Sequence, residues 1–499
     1  MFSSLNNRPG KHHKFVTHGS ILLSFSIVMS SCQIPNLRQA ETGPETPSSF
    51  TGSSSSGESS AQLHVDQFFN DPMLIRLMNE ALTNNQELKI LAEEIEIANN
   101  DIDVRRGAYL PFVNMKAGAG FERSSAFTPL GTAERELQYQ PGRNYPDPLP
   151  DFLLAANVSW EVDIWRKLRN ARDAATLRYL ATSEGRNYVV TRLVAEVAEK
   201  YYDLMALDNK LKTLEQTIEL QKESLRIAKA KKEAGRDTEL AVQRFQAEVN
   251  KNQSETLMVK QEIIEVENRI NFLAGRFPQP VERASAGFLD LKIQAVNTGI
   301  PSQLLQNRPD IRQAQRQLEA AGLDIEIAKA EFYPSLDIIG GIGFRAFNPK
   351  YFFNPDALIA NTAGELTSPL INKLAIQAEY RNANARQLQS VYNYQRIILD
   401  AFTEVINRVS MADNYGKSIE IRKQQLTALE ASVNTATNLF QNARAEYSEV
   451  LFAQRDLLEA RMVLIETKRK QLSAMVNTYQ ALGGGVAQSS NAQTPPASQ

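Results

Sequence analysis

Near Arg106 the chain changes period. A helix-like pattern stops at Pro111, and beyond it, in "RGAYLPFVNMKAGAGF" (106–121), every second residue is apolar. "KAEFYPSLDIIGGIGF" (329–344) makes the same switch at Pro334. Proline ends a helix because it lacks an N–H and pushes the preceding residue out of the helical region. Alternation beyond Pro111 puts Val113, Met115, Ala117, Ala119 and Phe121 on one strand face, with Asn114, Lys116, Gly118, Gly120 and Glu122 on the other. Beyond Pro334 the same phase separates Leu336, Ile338, Gly340, Ile342 and Phe344 from Ser335, Asp337, Gly341, Gly343 and Arg345, broken only by Ile339. A second strand follows each, at 152–162 and 358–367.

Elsewhere the period is helical. Lead-in segments run over 73–108 and 302–332, with Pro72 and Pro301 near their starts, and Pro309 breaks or restarts the second. Two uninterrupted helices, about 163–233 and 372–442, would each reach roughly 100 Å. Within the first, Leu204, Leu207, Leu211, Leu214, Ile218 and Leu225, with Gln221 in one slot, have the spacing of a coiled-coil seam. "EAGRDTEL" (233–240) then supplies a glycine break and an N-cap-like Asp237, and a helix returns to Leu273. These are antiparallel helical hairpins.

The chain is duplicated. Setting Pro111 on Pro334 aligns Ala98, Asp101 and Ile102 with Ala321, Asp324 and Ile325, and Gly118, Gly120 and Phe121 with Gly341, Gly343 and Phe344. A later block sets Gly235-Arg236 on Ala443-Arg444, Val242 on Val450 and Gln246 on Gln454. The offset changes because the first copy carries a Pro-rich insertion, 128–150. The two structural repeats are therefore 66–299 and 300–485, followed by a disordered tail, 486–499.

Ahead of the repeats, Lys11 and Lys14 precede a short apolar run, 21–29, the layout of a signal peptide over 1–31. "MSSC" resembles the lipobox of bacterial lipoproteins, which implies that Cys32 carries lipid. Gln33, where that pattern reads aspartate as an inner-membrane retention signal, points to the outer membrane. Residues 32–65 contain the Ser/Pro/Gly-rich stretch 41–60 and read as a flexible, lipid-anchored linker.

Composition then removes most other classes. Cys32 is the only cysteine, and three of four histidines precede it, so an internal disulfide or cysteine metal cluster is impossible and histidine catalysis has almost nothing to use. No clustered catalytic constellation is present, and no metal or cofactor is expected. A net charge of −2 does not suggest a nucleic-acid partner. No apolar run of about 18 residues marks a membrane helix. Strands of about 9–11 residues that alternate apolar and polar fit a half-buried soluble sheet as well as a transmembrane β-barrel, and the export signal and lipid-anchor pattern favour the barrel. Four strands cannot close one, so the chain must oligomerise in the bilayer, since open edges in lipid leave backbone groups unsatisfied.

"SWEVDIWRKLRNAR" (159–172), "NRPDIRQAQRQLEAAGLDIEIAKAEFYPSL" (307–336) and "YSEVLFAQRDLLEARMVLIETKRKQLSAMVNTYQALGGG" (447–485) resemble, in order, the TolC-like outer-membrane factor family. The resemblance implies a mainly α fold with a transmembrane β-barrel, in which long antiparallel hairpins form an α-barrel tunnel and a homotrimer with four strands per chain completes a 12-stranded barrel. It implies a passive, gated efflux conduit that works with a periplasmic adaptor protein and an inner-membrane pump. The implied entrance tips include Gly235, Arg236, Asp237, Thr238, Arg444, Glu446, Tyr447, Glu449 and Phe452. Pro111 and Pro334 mark the helix-to-barrel junctions, and Asn114, Lys116, Asp337 and Arg345 the barrel lumen. Ala443 replaces a usual tip glycine, which implies a differently shaped turn. Phe452 replaces a carboxylate of a gate ring, which Glu446 and Glu449 could supply. The competing reading is a non-conducting coiled-coil lipoprotein linking outer membrane and cell wall.

Overall fold

The computed structural model describes residues 34–45, 47–50, 59–293, 297–371 and 373–485, so Cys32, the 1–31 leader and the 486–499 tail lie outside it. The chain is mainly helical, with one four-stranded sheet. It divides into two units: residues up to Glu41 with Ile97–Tyr179 and Arg316–Tyr392, and Thr42–Glu96 with Leu180–Gln315 and the residues from Asn393 on. Among the described residues no helix is long and apolar enough to cross a membrane.

In the first unit the strands Phe112–Glu122, Leu149–Val162, Ser335–Ala346 and Leu358–Thr367 lie side by side in chain order, all antiparallel. The register keeps the alternation in phase across all of them. Met115 faces Ala156, Ala156 faces Ile342 and Ile342 faces Ala360, whereas Asn114, Asn157, Gly341 and Asn361 form a row on the opposite face. A one-residue slip would mix the two faces, so the pattern fixes the register. Two glycines are required by close approach. A Cβ at Gly341 would lie 2.8 Å from both Asn157 Oδ1 and Asn361 Oδ1, and one at Gly343 would lie 2.3 Å from the Leu154 carbonyl oxygen. The second strand begins three residues earlier than the pattern predicts, at Leu149 rather than Phe152 (152 − 149 = 3). The insertion contains a short helix, Pro129–Glu136, capped by Thr128, whose hydroxyl accepts from the Gly131 N–H at 3.2 Å. Its Tyr139 and Tyr145 pack on Phe347 with ring centroids 4.9 and 5.4 Å away.

In the second unit the lead-in segment is two helices, Pro72–Asn84 and Gln86–Tyr109, of which this unit holds the second only to Glu96. Buried Asn85 separates them: its side chain accepts from the Leu88 N–H at 3.2 Å and donates to the Leu273 carbonyl at 2.9 Å. Asparagine competes well for backbone groups at a cap, which corrects the single segment expected from periodicity. The long helices are Lys167–Glu233 and Leu374–Gln441, of which this unit holds the parts from Leu180 and from Asn393, and their returning partners are Glu239–Leu273 and Tyr447–Ala481. Of the predicted seam, Leu204, Leu207, Leu214, Ile218, Gln221 and Leu225 are buried and Leu211 is partly buried. Gln221 is tolerated because it accepts from Asn252 Nδ2 at 2.8 Å, keeping a buried amide satisfied.

Part of the expected linker, 34–50, makes packed contacts. In the first unit Asn384 accepts from the Arg38 N–H and donates to the Arg38 carbonyl, both at 3.0 Å, while Ile34 and Leu37 pack near Phe332 and Tyr380. In the second, Phe50 is buried and stacks on Phe402 at 5.3 Å. Two-point backbone clamping at Arg38 and the aromatic contact of Phe50 hold these residues, while the Ser-rich stretch 51–58 lies outside the described residues.

Candidate functional site

Two places carry the predicted site residues, and the first is the sheet with its helix junctions. Pro111 follows a helix that ends at Tyr109 and whose last carbonyls lack a helical donor, while Pro334 stands between a helix that ends at Ala330 and the strand that starts at Ser335. The chain's two tryptophans supply donors: Trp160 Nε1 donates to the Tyr109 carbonyl at 3.0 Å and Trp165 Nε1 to the Pro334 carbonyl at 2.8 Å. Trp165 also stacks on Tyr333 at 4.6 Å. Indoles with one polar edge and one apolar face suit a bilayer boundary. Asp163 fixes the start of the long helix: its nearly buried carboxylate accepts from the Leu168 N–H at 3.0 Å, the Arg169 N–H at 2.9 Å and Arg169 Nε at 3.0 Å. Burial pushes this carboxyl up, but the Arg169 and Leu168 N–H groups and the guanidinium outweigh it and hold the group below its ordinary value.

Asn114, Lys116, Asp337 and Arg345 share one sheet face through the register. Arg345 is held by Asp151 in a two-point pair, 2.8 and 3.0 Å. The same face carries a cross-strand row, Glu161, Asp337 and Glu365, of which the sequence reading singled out only Asp337. Like charges directly opposite are unfavourable in a sheet. Lys167 offsets part of this, lying 3.0 Å from Glu161 and 3.3 Å from Glu331. The opposite face is apolar and ends in Phe121, Phe152 and Phe344, with Phe353 edge-on to Phe344 at 5.8 Å. Both outer strands, Phe112–Glu122 and Leu358–Thr367, are exposed at every residue and have no partner on their outer sides among the described residues.

The second place is the pair of hairpin turns. After the first long helix, the Arg236 N–H donates to the Lys231 carbonyl at 2.8 Å and the Gly235 N–H to the Lys232 carbonyl at 2.9 Å. After the second, the Arg444 N–H donates to the Leu439 carbonyl at 2.9 Å and the Ala443 N–H to the Phe440 carbonyl at 3.1 Å. Both are the same helix-ending motif, which needs a left-handed residue. Gly235 takes φ 68° and Ala443 takes φ 57°. The replacement of glycine therefore leaves the turn's shape unchanged and strains its backbone, correcting the expected difference. Asp237 is likewise not the cap of the returning helix. Thr238 is, its hydroxyl accepting from the Ala241 N–H at 3.4 Å, while Asp237 accepts from the Thr238 N–H at 2.7 Å.

Of the predicted tip residues, Gly235, Arg236, Thr238, Arg444, Glu446 and Glu449 are exposed, and Tyr447 packs against a small core between the hairpins. Phe452 stands outside that core, 60% exposed. The core itself contains residues the sequence reading missed. Phe245 and Phe440 are buried with ring centroids 6.2 Å apart, among Leu225, Ala228, Val450 and Leu451. Lys231 Nζ sits 3.8 Å from the Phe440 ring centroid and donates to the Phe440 carbonyl. Lys231 belongs to the lysine-rich run 226–236, which reads from sequence as a solvated end. Deeper in the hairpins, Gln454 Nε2 donates to Ser224 Oγ at 3.0 Å, with both side chains buried. Among the described residues no group of three or more His, Cys, Asp or Glu side chains could hold a metal ion.

Comparison with known proteins gives consistent matches. The family model described as outer membrane efflux protein matches residues 77–276 and 300–484. The solvent efflux pump outer membrane protein SrpC of Pseudomonas putida is 28% identical over 427 residues, 85% of this chain and 88% of that protein. The probable outer membrane lipoprotein SilC of Salmonella typhimurium is 25% identical over 419 residues, 84% of this chain and 87% of that protein. The open state of the MtrE outer membrane channel of Neisseria gonorrhoeae superposes with a TM-score of 0.79 at 21% identity, covering 91% of this chain and 98% of that one.

Proposed function

This chain belongs to the outer membrane efflux protein family, and from that premise we propose that three copies form a passive, gated outer-membrane channel. The observation that carries the reading is the sheet. It has one continuous apolar face, one polar face and two unpaired edges. Edges of this kind are tolerated in lipid only if they pair with another copy. Pairing Leu358–Thr367 of one copy with Phe112–Glu122 of the next closes a 12-stranded barrel from three copies of four strands (3 × 4 = 12). The face bearing Asn114, Lys116, Asp337 and Arg345, together with Glu161 and Glu365, then lines the lumen, and Pro111 and Pro334 mark where periplasmic helices enter the barrel.

Cys32 anchors the chain to the outer membrane by lipid, a reading supported by the "MSSC" pattern and by the lipoprotein description of SilC. The turns around Gly235 and Ala443, with Glu446, Glu449 and Phe452 beside the second, form the closable entrance. A periplasmic adaptor meets them and an inner-membrane pump supplies the cargo, completing a tripartite efflux system. Full-length protein in planar bilayers should give discrete conductance steps and the mass of a trimer, and labelled palmitate should be lost in Cys32→Ala. Monomers without conductance would instead favour a scaffold.

A further inference from the structure

We propose that a cavity in the second unit receives an arginine side chain presented by another polypeptide. The duplication supplies the template, and the inference is independent of the channel reading above. In the second repeat the guanidinium of buried Arg308 is held from three sides. Its Nη1 donates to the Ala481 carbonyl at 2.8 Å and to Glu404 at 2.9 Å, while Nε and Nη2 donate to Asp310 at 3.0 and 2.7 Å. The repeat offsets are 223 for the lead-in helices (334 − 111) and 208 for the hairpins (443 − 235). They carry the three acceptors onto Glu87 (310 − 223), Glu196 (404 − 208) and the Leu273 carbonyl (481 − 208). The correspondence holds in three dimensions at this place, since a Cβ on Gly275 would strike the Asn84 carbonyl just as one on Gly483 would strike that of Asn307.

Arg308 itself falls on Asn85 (308 − 223). Asn85 Nδ2 keeps one of the contacts, donating to the Leu273 carbonyl at 2.9 Å, and the shorter side chain stops there. Where the second repeat has a guanidinium, the first therefore has a cavity of about 560 Å³, lined by Asn85, Glu87, Glu196 and Leu273 together with exposed Phe272 and Phe277. Both carboxylates keep acceptor capacity. Arg192 takes Oε1 of Glu87 and Arg269 Nε takes Oε1 of Glu196, each at 2.9 Å, and Oε2 of neither has a partner among the described residues. Ion pairs as exposed as these hold a carboxylate weakly and leave it open to a further donor. Arg269 also lies over the Phe272 ring at 5.2 Å, so this wall already accepts a guanidinium. The acceptor set favours arginine over lysine, because only a planar fork reaches two carboxylates and a carbonyl at once, as Arg308 does. The cavity has the size of a small-ligand site and exceeds a guanidinium, which leaves room for the methylene stem along the phenylalanines and for the chain that carries it.

Calorimetric titration of the full-length protein with N-acetyl-arginine methylamide, and with the citrulline and lysine counterparts, tests this. The arginine compound should bind about tenfold or more tightly than either, since citrulline keeps the shape without the charge and lysine the charge without the fork. Asn85→Arg should abolish that binding by placing the chain's own guanidinium in the cavity. Glu196→Gln, which keeps the shape of the site, should weaken it about tenfold. Free arginine should bind no more tightly than the capped compound; tighter binding would make this a site for the amino acid and overturn the polypeptide assignment. Equal affinity for the three capped compounds, no binding of any, or arginine binding untouched by both variants would overturn the inference.

Discussion

Ala443→Gly should tighten the second hairpin turn, and Gly235→Ala should loosen the first by a similar amount. The pair isolates backbone strain, because a Cβ at Gly235 meets nothing within 4 Å. Any effect there must come from its φ of 68°, matched by 57° at Ala443. A left-handed residue bearing a Cβ costs roughly 1–2 kcal/mol. Glycine's extra freedom in the opened chain returns roughly 0.4–1 kcal/mol of that. The net is about 1 kcal/mol, or roughly fivefold in a local opening equilibrium. Hydrogen exchange on the full-length protein reads this directly, since the Arg444 and Arg236 N–H groups close the two turns at 2.9 and 2.8 Å. After correction for intrinsic rates, Arg444 should exchange about fivefold more slowly in A443G and Arg236 about fivefold faster in G235A. Unchanged exchange at Arg236 in G235A would refute the strain argument, because no side-chain contact is available there to mask it.

Two further outcomes follow from the first unit. Gly343→Ala should prevent barrel formation, since its Cβ would fall 2.3 Å from the Leu154 carbonyl oxygen, whereas Gly118→Ala and Gly364→Ala meet nothing within 4 Å; heat-modifiable migration of the assembled barrel on gels should separate them, and normal assembly of G343A would contradict the register. Asp163→Asn keeps a capping oxygen and loses the charge facing Arg169; because the folded carboxyl titrates below its ordinary value, its stabilisation is complete above about pH 4 and lost as pH falls further. The thermal stability gap between wild type and D163N should therefore be constant near neutrality and close in acid, and a gap that widens in acid would reverse the sign of the argument.

The elements were legible because their signals are dense. Strict alternation over 113–121 needs only one face buried in lipid to set the register, and the long helices contain no proline to end them before their turns. The helix ends were less so. Asn85 and Thr238 decide boundaries through single side-chain hydrogen bonds, which leave no periodic trace. The site was partly legible for the same reason. Asn114 with Lys116, and Asp337 with Arg345, share a face by parity within each strand, and the repeat offset relates the two pairs, whereas Glu161 and Glu365 join Asp337 only through strand pairing. Lys231 was hidden because a lysine in a basic run reads as solvated until Phe440 is seen beneath it. The Phe50 contact was hidden because one aromatic residue outweighs a polar composition.

Duplication supplies the geometry, and the departures from it show where the two repeats are tied to each other. Within the first unit, Tyr139 and Tyr145 of the insertion, which the second repeat lacks, pack against Phe347 of the second repeat. Within the second unit, Lys231 of the first repeat binds Phe440 of the second. Each departure therefore strengthens a contact between the two repeats of one chain. The sheet follows the same order, since Leu149–Val162 pairs with Ser335–Ala346 in the single chain while the two outer strands stay open. The contacts between the two repeats are thus already made in the single chain, while the two outer strand edges stay open. Open edges of this kind are the main hazard of such a sheet, because they can pair with wrong partners.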